Sequence, residues 1–144
     1  MPIMVEVKEP AAQDAVRRVI LGEAAVERCV LASEHYAALQ VFREPPFFVA
    51  AAGPEIGALY RAVLLRRPPA RVSYHTLSVP ERHHGLRVPT PRFLAAARAL
   101  GCPVHVWTVN DPAAAQRLWA LGVCGIVTNF PARIRDSRLV TRDS

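Results

Sequence analysis

Lysine is almost missing from this chain. Lys8 is the only one among 18 basic residues, so the formal net charge of +6 is carried by arginine. Those arginines are scattered, as in Arg17-Arg18, Arg66-Arg67, Arg82, Arg98, Arg117 and the tail, with no basic helix and no interleaved aromatic residues. That pattern argues against a nucleic-acid partner and for a solvated arginine-rich surface. Cysteine is sparse too: Cys29, Cys102 and Cys124 are odd in number, far apart and set in apolar, strand-like contexts. They read as small core residues in a reducing compartment, which points to the cytoplasm, and neither a disulfide framework nor a zinc site is expected. No apolar run approaches the ~18 residues of a membrane span. The first apolar run is broken by Glu6 and Lys8, unlike a signal peptide. Neither a Gly-x-Gly-x-x-Gly nor a Gly-x-x-x-x-Gly-Lys-Ser/Thr loop occurs, which weakens nucleotide-binding readings.

What is present is an ordinary globular balance, 51% hydrophobic and 21% charged, which argues against disorder. The 13 prolines fall mostly between apolar runs, as loop punctuation. At 144 residues the chain holds one domain, yet it is well short of the ~250 residues of a complete β/α barrel.

Gly101 to Pro131 is the most legible stretch. Val104 to Val109 is an apolar strand stopped by Asn110-Asp111-Pro112. Asp111 is placed to cap a helix and Pro112 to begin it. Ala113 to Leu121 sets Ala114, Leu118 and Leu121 at helical spacing, Gly122 closes the helix, and Val123 to Thr128 is a second strand ended by Phe130-Pro131, before a short polar run. This is a β-α-β unit, whose strands must be parallel with a right-handed crossover.

The rest of the chain repeats the alternation. Pro2 to Val7 reads as a strand, Ala11 to Gly22 as an amphipathic helix with Ala15, Val16, Val19 and Ile20 apolar, and Cys29 to Ala32 as a strand. Glu34 to Phe42 reads as a helix, Phe47 to Ala51 as a strand, Glu55 to Leu65 as a helix, and Arg71 to Val79 as a strand. A loop from Pro80 to Pro89 and a helix from Pro91 to Leu100 follow. About six β/α units without antiparallel hairpins are expected.

The first strand is unusual. Ile3, Val5 and Val7 face one way, and Met4, Glu6 and Lys8 the other. Buried parallel strands are normally apolar on both faces. Glu6 and Lys8 are therefore either an ion pair on an exposed edge or a carboxylate and an ammonium projecting into the polar mouth where parallel strands end. Among the histidines, His83-His84 lie in the long loop, where a pair can reach over a barrel mouth or stand solvated. His75 is expected near the end of the fourth strand, His35 on a helix and His105 within a strand, the last two in structural roles.

Val104-His105-Val106-Trp107-Thr108-Val109-Asn110 and Gly122-Val123-Cys124-Gly125-Ile126-Val127-Thr128-Asn129-Phe130-Pro131 resemble the last two strands of the glycerophosphodiester phosphodiesterase family, metal-dependent β/α barrels. Val5-Glu6-Val7-Lys8 is similar to that family's third strand, and Cys29 to Ser33 to its fourth. Cys124 stands where the family has an acidic residue, and Glu34 where it has an aromatic one. The resemblance implies an incomplete TIM barrel, residues 1–144 forming a single partial domain that lacks the first two β/α units. The family's His-Arg-Gly, Glu-Asn-Thr, Glu-x-Asp and His-Asp motifs do not occur, so the catalytic histidines and two metal carboxylates have no counterpart here.

By the same resemblance Glu6 is a ligand to a divalent metal, Mg2+ or Ca2+, Lys8 neutralises the substrate phosphate, and Trp107 forms an apolar wall for the alcohol group, its alternative being a core tryptophan. One carboxylate alone does not hold such an ion usefully against water. The implied activity is hydrolysis of small-molecule glycerophosphodiesters to an alcohol and glycerol phosphate, with this chain carrying part of the site as the C-terminal portion of a longer enzyme. A non-catalytic scaffold binding a phosphorylated ligand or a protein is the alternative. Two unpaired edge strands are also implied, which a homo-oligomer would cover.

Overall fold

The short alternating run near the start of the chain forms strand β1 (Ile3–Glu6) in the computed structural model, which describes residues 3–140, with side chains as far as Ser137. The chain divides into two units, Met1–Leu77 and Ser78–Ser144.

In the first unit β1 runs parallel to β2 (Cys29–Ala32), Ile3 opposite Cys29 and Glu6 opposite Ala32, and β2 runs parallel to β3 (Phe48–Val49). Ala50 then bridges Thr76 in parallel, so the pairing continues past β3. β1 lies at the end of the order β1-β2-β3. Its inward face is buried progressively towards its C-terminal end: Ile3 is exposed, Val5 half-buried and Val7 fully buried. Leu31 and Val49 in the next strands are also fully buried.

The connection after β1 is a 3-10 turn, Pro10–Ala12, leading into helix α1 (Gln13–Gly22). Only Ile20 of its apolar face is buried, and Val19, expected to face inwards, is 63% exposed. The helix packs against the short segment Tyr36–Phe42, which is too narrow to cover its whole apolar stripe. That segment is the helix expected over Glu34 to Phe42, formed as a 3-10 helix that begins two residues later. The Ser33 hydroxyl accepts the His35 N–H at 3.1 Å, holding the entry in a turn. Leu39 and Phe42, three apart, then share one buried side, as a three-residue turn requires.

Helix α2 (Gly53–Leu64) follows β3. Glu55 reaches back to the Ala52 N–H at 2.8 Å and satisfies one of the donors that a helix start leaves open. The same carboxylate receives two bonds from Arg43, each 2.8 Å.

The second unit opens within β4 (Leu77–Pro80), whose Leu77 closes the first unit. The loop expected next is an antiparallel hairpin, β5 (Arg82–His83) with β6 (Leu86–Arg87), Arg82 opposite Arg87 and His83 opposite Leu86. His84 and Gly85 turn it with φ of 47° and 80°, the left-handed pair that a two-residue hairpin turn requires. Helix α3 (Pro91–Ala99) is capped by Thr90, whose hydroxyl accepts the Phe93 N–H at 3.2 Å.

The β-α-β unit then forms as its punctuation dictates. β7 (Val104–Trp107) runs parallel to β8 (Gly125–Ile126), and helix α4 (Pro112–Leu121) joins them. Asp111 caps α4 by accepting from Ala113 and Ala114, Pro112 is its first residue, and Gly122 ends it at φ 100°. Ala114 and Leu118 are buried as expected, while Leu121 is exposed. The run after Pro131 is helical, α5 (Pro131–Val140), packed on α4 with the Gln116 side chain donating to the Ser137 carbonyl at 3.2 Å. β8 lies at the end of the order β4-β7-β8.

Of the three cysteines, Cys29 and Cys102 are buried and free, and Cys124 is exposed, contrary to the core role expected of it. It stands just before β8, whose only two residues are half-buried. No helix among the described residues is long and apolar enough to cross a membrane.

Candidate active site

Sites in parallel β/α folds gather at the C-terminal ends of the strands. At the end of β1 the backbone holds Val7 by its N–H to the Ala32 carbonyl, 2.8 Å, and buries its side chain. Period two then turns Glu6 and Lys8 together to the opposite face. Lys8 Nζ lies 2.5 Å from Glu6 Oε1, and the side chains are 74% and 44% exposed. The hydrogen bond to Glu6 holds the Lys8 ammonium above the usual lysine range; slight burial opposes this, and the charges of Glu6 and Glu34 add to it. Glu34 follows β2 directly, and its carbonyl accepts the N–H of Gly53 at the start of α2, 3.1 Å. The cluster at this end of the first unit is therefore two carboxylates and one persistent cation, while Ser33, next to Glu34 in the chain, is buried. In the sequence Glu34 stands out as a departure from an aromatic position and as the start of a helix, and its charge is the signal for its place in this cluster.

These groups do not by themselves make a Mg2+ or Ca2+ site. Such ions take six or more oxygen ligands, usually several of them carboxylate. Glu6 is engaged by Lys8, and among the described residues no three His, Cys, Asp or Glu side chains cluster to hold a metal.

Trp107 ends β7 in the second unit, half-buried, with its carbonyl accepting the Glu81 N–H at 3.3 Å. Just beyond it, Asn110 joins the two halves of the β-α-β signature. Its side-chain oxygen accepts from the Thr128 hydroxyl and from the Asn129 N–H, both at 3.0 Å. The Thr128 hydroxyl in turn accepts the Phe130 N–H at 3.1 Å. The conjunction of Asn110 with Thr128-Asn129 is thus a loop clamp on the C-terminal side of β7 and β8, a role their spacing in the chain could not reveal.

The histidines separate by environment. His75 precedes β4, a correction to its expected place near that strand's end. Its Nδ1 accepts the Val49 N–H at 3.2 Å, its backbone N–H donates to the Val49 carbonyl at 2.8 Å, and its ring meets Phe48 edge-on at 5.1 Å. It completes the pairing of β3 and is structural. His105 is half-buried in β7, and that burial pushes its pKa below the usual histidine value. His35 precedes the 3-10 helix, exposed. His83 and His84 are exposed on the hairpin, ring centroids 4.2 Å apart.

A groove of about 510 Å3 lies beside α2, lined by Glu55, Leu59, Arg67, Arg71 and Tyr74 among others. Its carboxylate, Glu55, is already committed to Arg43, Ala52 and Ser73, which leaves the groove without a free acid.

The model of the glycerophosphoryl diester phosphodiesterase family matches residues 6–133. No curated protein matches the chain. Among solved structures it is similar to a glycerophosphodiester phosphodiesterase from Parabacteroides distasonis ATCC 8503, with a TM-score of 0.74 and 18% identity, over 99% of this chain and 59% of that one. It is also similar to a protein assigned as a glycerophosphoryl diester phosphodiesterase from Silicibacter pomeroyi DSS-3, with a TM-score of 0.69 and 22% identity, over 97% of this chain and 51% of that one. The chain thus spans between half and three-fifths of the length of these proteins. The likeness establishes the fold, an incomplete TIM-type β/α barrel of six β/α units.

Proposed function

The chain belongs to the glycerophosphoryl diester phosphodiesterase family, and on that premise we propose that it is the part of a phosphoric diester hydrolase, acting on glycerophosphodiesters, that carries Glu6, Lys8 and Trp107. The reading is carried by one observation: Glu6 and Lys8 project together from the C-terminal end of β1, joined and solvent-facing, on the strand that resembles the family's third. Lys8 supplies a fixed positive charge for a phosphodiester anion, and Glu6 holds that ammonium in place until substrate competes for it. Trp107 flanks the alcohol group. The other carboxylates of a Mg2+ or Ca2+ centre, to which Glu6 contributes one ligand, belong in this reading to the two β/α units that the resemblance leaves out. So do the groups that move protons, since none of the five histidines falls on a family motif for that role. A cytoplasmic location fits the same reading, with three free cysteines in a reducing compartment.

The engagement of Glu6 by Lys8 favours a second reading, a non-catalytic barrel fragment that binds a phosphorylated ligand or a protein through its edge strands, or closes them with a second copy. Hydrolysis and binding of glycerophosphocholine, measured with the purified chain in Mg2+ or Ca2+ beside Glu6→Ala and Lys8→Met and with its size determined, separate these. The partial-site reading expects no turnover, with binding weakened at least tenfold in Lys8→Met. Metal-dependent turnover lost in Glu6→Ala would show a complete site, built within the chain or between copies. A folded chain that binds no glycerophosphocholine would leave the scaffold reading.

A further inference from the structure

Arginine is scattered along the sequence, yet the end of α2 gathers it. From Ile56 to Pro80 the chain has no acidic residue, while Arg61, Arg66, Arg67 and Arg71 fall there around a pair of leucines, Leu64-Leu65. Residues 64–71 are exposed throughout, and the two leucines are 62% and 72% open to solvent. Single exposed leucines are ordinary, but two in succession with cations on both sides are more than a solvated charged surface. Among the described residues none of these four guanidiniums has an ion-pair partner.

The backbone holds this tip in one shape. The Arg67 N–H donates to the Ala62 carbonyl at 2.8 Å and the Arg66 N–H to the Val63 carbonyl at 3.1 Å, the paired bonds that close a helix end. Arg66 takes the left-handed φ of 56° that such an end usually gives to glycine, so a charged side chain stands at the sharp turn. Past Pro68-Pro69, Arg71 meets Arg67 again: both line the groove beside α2, together with apolar Leu59, Ala62 and Val72. The tip also has a fixed place in the first unit. The loop returns to Thr76, which pairs in parallel with Ala50 just after β3, so α2 must run back along the sheet. Its end therefore lies towards the N-terminal ends of the strands, opposite Glu6 and Lys8.

We propose that the α2 tip, Arg61 to Arg71, is a peripheral membrane contact: Leu64 and Leu65 enter the headgroup boundary of a bilayer, and the four arginines pair with anionic phospholipid headgroups. The inference goes beyond the phosphodiesterase reading and does not depend on it. An anionic bilayer offers both things the tip lacks, phosphates for its guanidiniums and an acyl boundary for its leucines. A second copy fits less well, because a two-fold contact would set the same four arginines against their equals. A protein partner would need an apolar patch wider than two side chains on a turn. Contact at this end leaves the Glu6–Lys8 end of the unit facing water.

The test is flotation of the full chain with vesicles of phosphatidylcholine, with and without phosphatidylglycerol, beside the double variants Leu64→Gln/Leu65→Gln and Arg66→Gln/Arg67→Gln. Trypsin digestion of the unsubstituted chain, with fragments identified by mass, accompanies it. The expected result is binding to the anionic vesicles alone, at least tenfold weaker in either variant, with cleavage after Arg66 and Arg71 slowed by those vesicles. Absence of binding, equal binding to neutral vesicles, or protection from trypsin only elsewhere in the chain would overturn the proposal. Loss in the arginine variant with none in the leucine variant would reduce the contact to surface charge and overturn the insertion. Self-association lost in the leucine variant, without vesicle binding, would overturn it in favour of a contact between copies. The digestion pattern of the unsubstituted chain decides the matter even if a variant does not fold.

Discussion

Gly125 faces His105 across the parallel pairing of β7 and β8 so closely that a β-carbon built on it would collide with the imidazole carbon Cδ2. The glycine makes room for a half-buried ring between two strands. Gly125→Ala must displace that ring or separate the strands, and a loss of about 1–3 kcal/mol is expected, as in other overpacked cores. Chemical denaturation measures it. His105→Ala in the same chain should recover much of the loss, because contacting residues are not additive.

Burial lowers the pKa of His105 below its ordinary value of 6.5, so the folded chain binds a proton there less readily than the unfolded chain. The contribution of this group to stability is fully present above pH 6.5 and is lost as pH falls from there through the lower folded-state pKa. Melting temperature measured between pH 7.5 and 5 should decline on the acidic side, and His105→Gln should flatten that part of the curve.

Arg43 and Glu55 are 12% and 16% exposed, bonded twice, with the guanidinium also 4.4 Å from the Tyr36 ring centroid. Removing one member leaves the other charge buried without its counter-charge, and Glu55 additionally caps the start of α2. Glu55→Ala is expected to cost about 3–5 kcal/mol in urea denaturation. Arg43→Lys should also destabilise, since a single ammonium cannot reproduce two parallel bonds.

The opposite holds at the end of β1. Lys8 and Glu6 are exposed, and such pairs contribute little to folding. Lys8→Met and Glu6→Gln should melt with the unsubstituted chain in differential scanning calorimetry. Any loss of glycerophosphodiester binding in them then belongs to the site and not to the fold.

Much of the architecture was readable because its determinants are local. Asp111, Pro112 and Gly122 lie within a turn of the groups they satisfy, so α4 and its flanking strands appear where those residues set them. The period-two placement of Glu6 and Lys8 on one face is local in the same way. The hairpin is not legible in the sequence because His84-Gly85 is an uncommon turn pair and its strands are only two residues long. Helix α5 was hidden by a polar composition without a clear apolar stripe.

The succession of six β/α units, the parallel β-α-β unit at its end, and a family resemblance concentrated where strands meet loops are all legible in the residues alone. These follow from capping, periodicity and backbone preference, each acting within a few residues. It takes the folded chain to show that His75 completes β3 through Val49, that Asn110 clamps Thr128 and Asn129, that Val19 stays in solvent, and that Glu6 is engaged by Lys8 with no cluster of three or more possible metal ligands among the described residues. Apart from the Glu6–Lys8 contact, these depend on groups far apart in the chain or on which surfaces find a partner, and short-range chemistry carries no information about either.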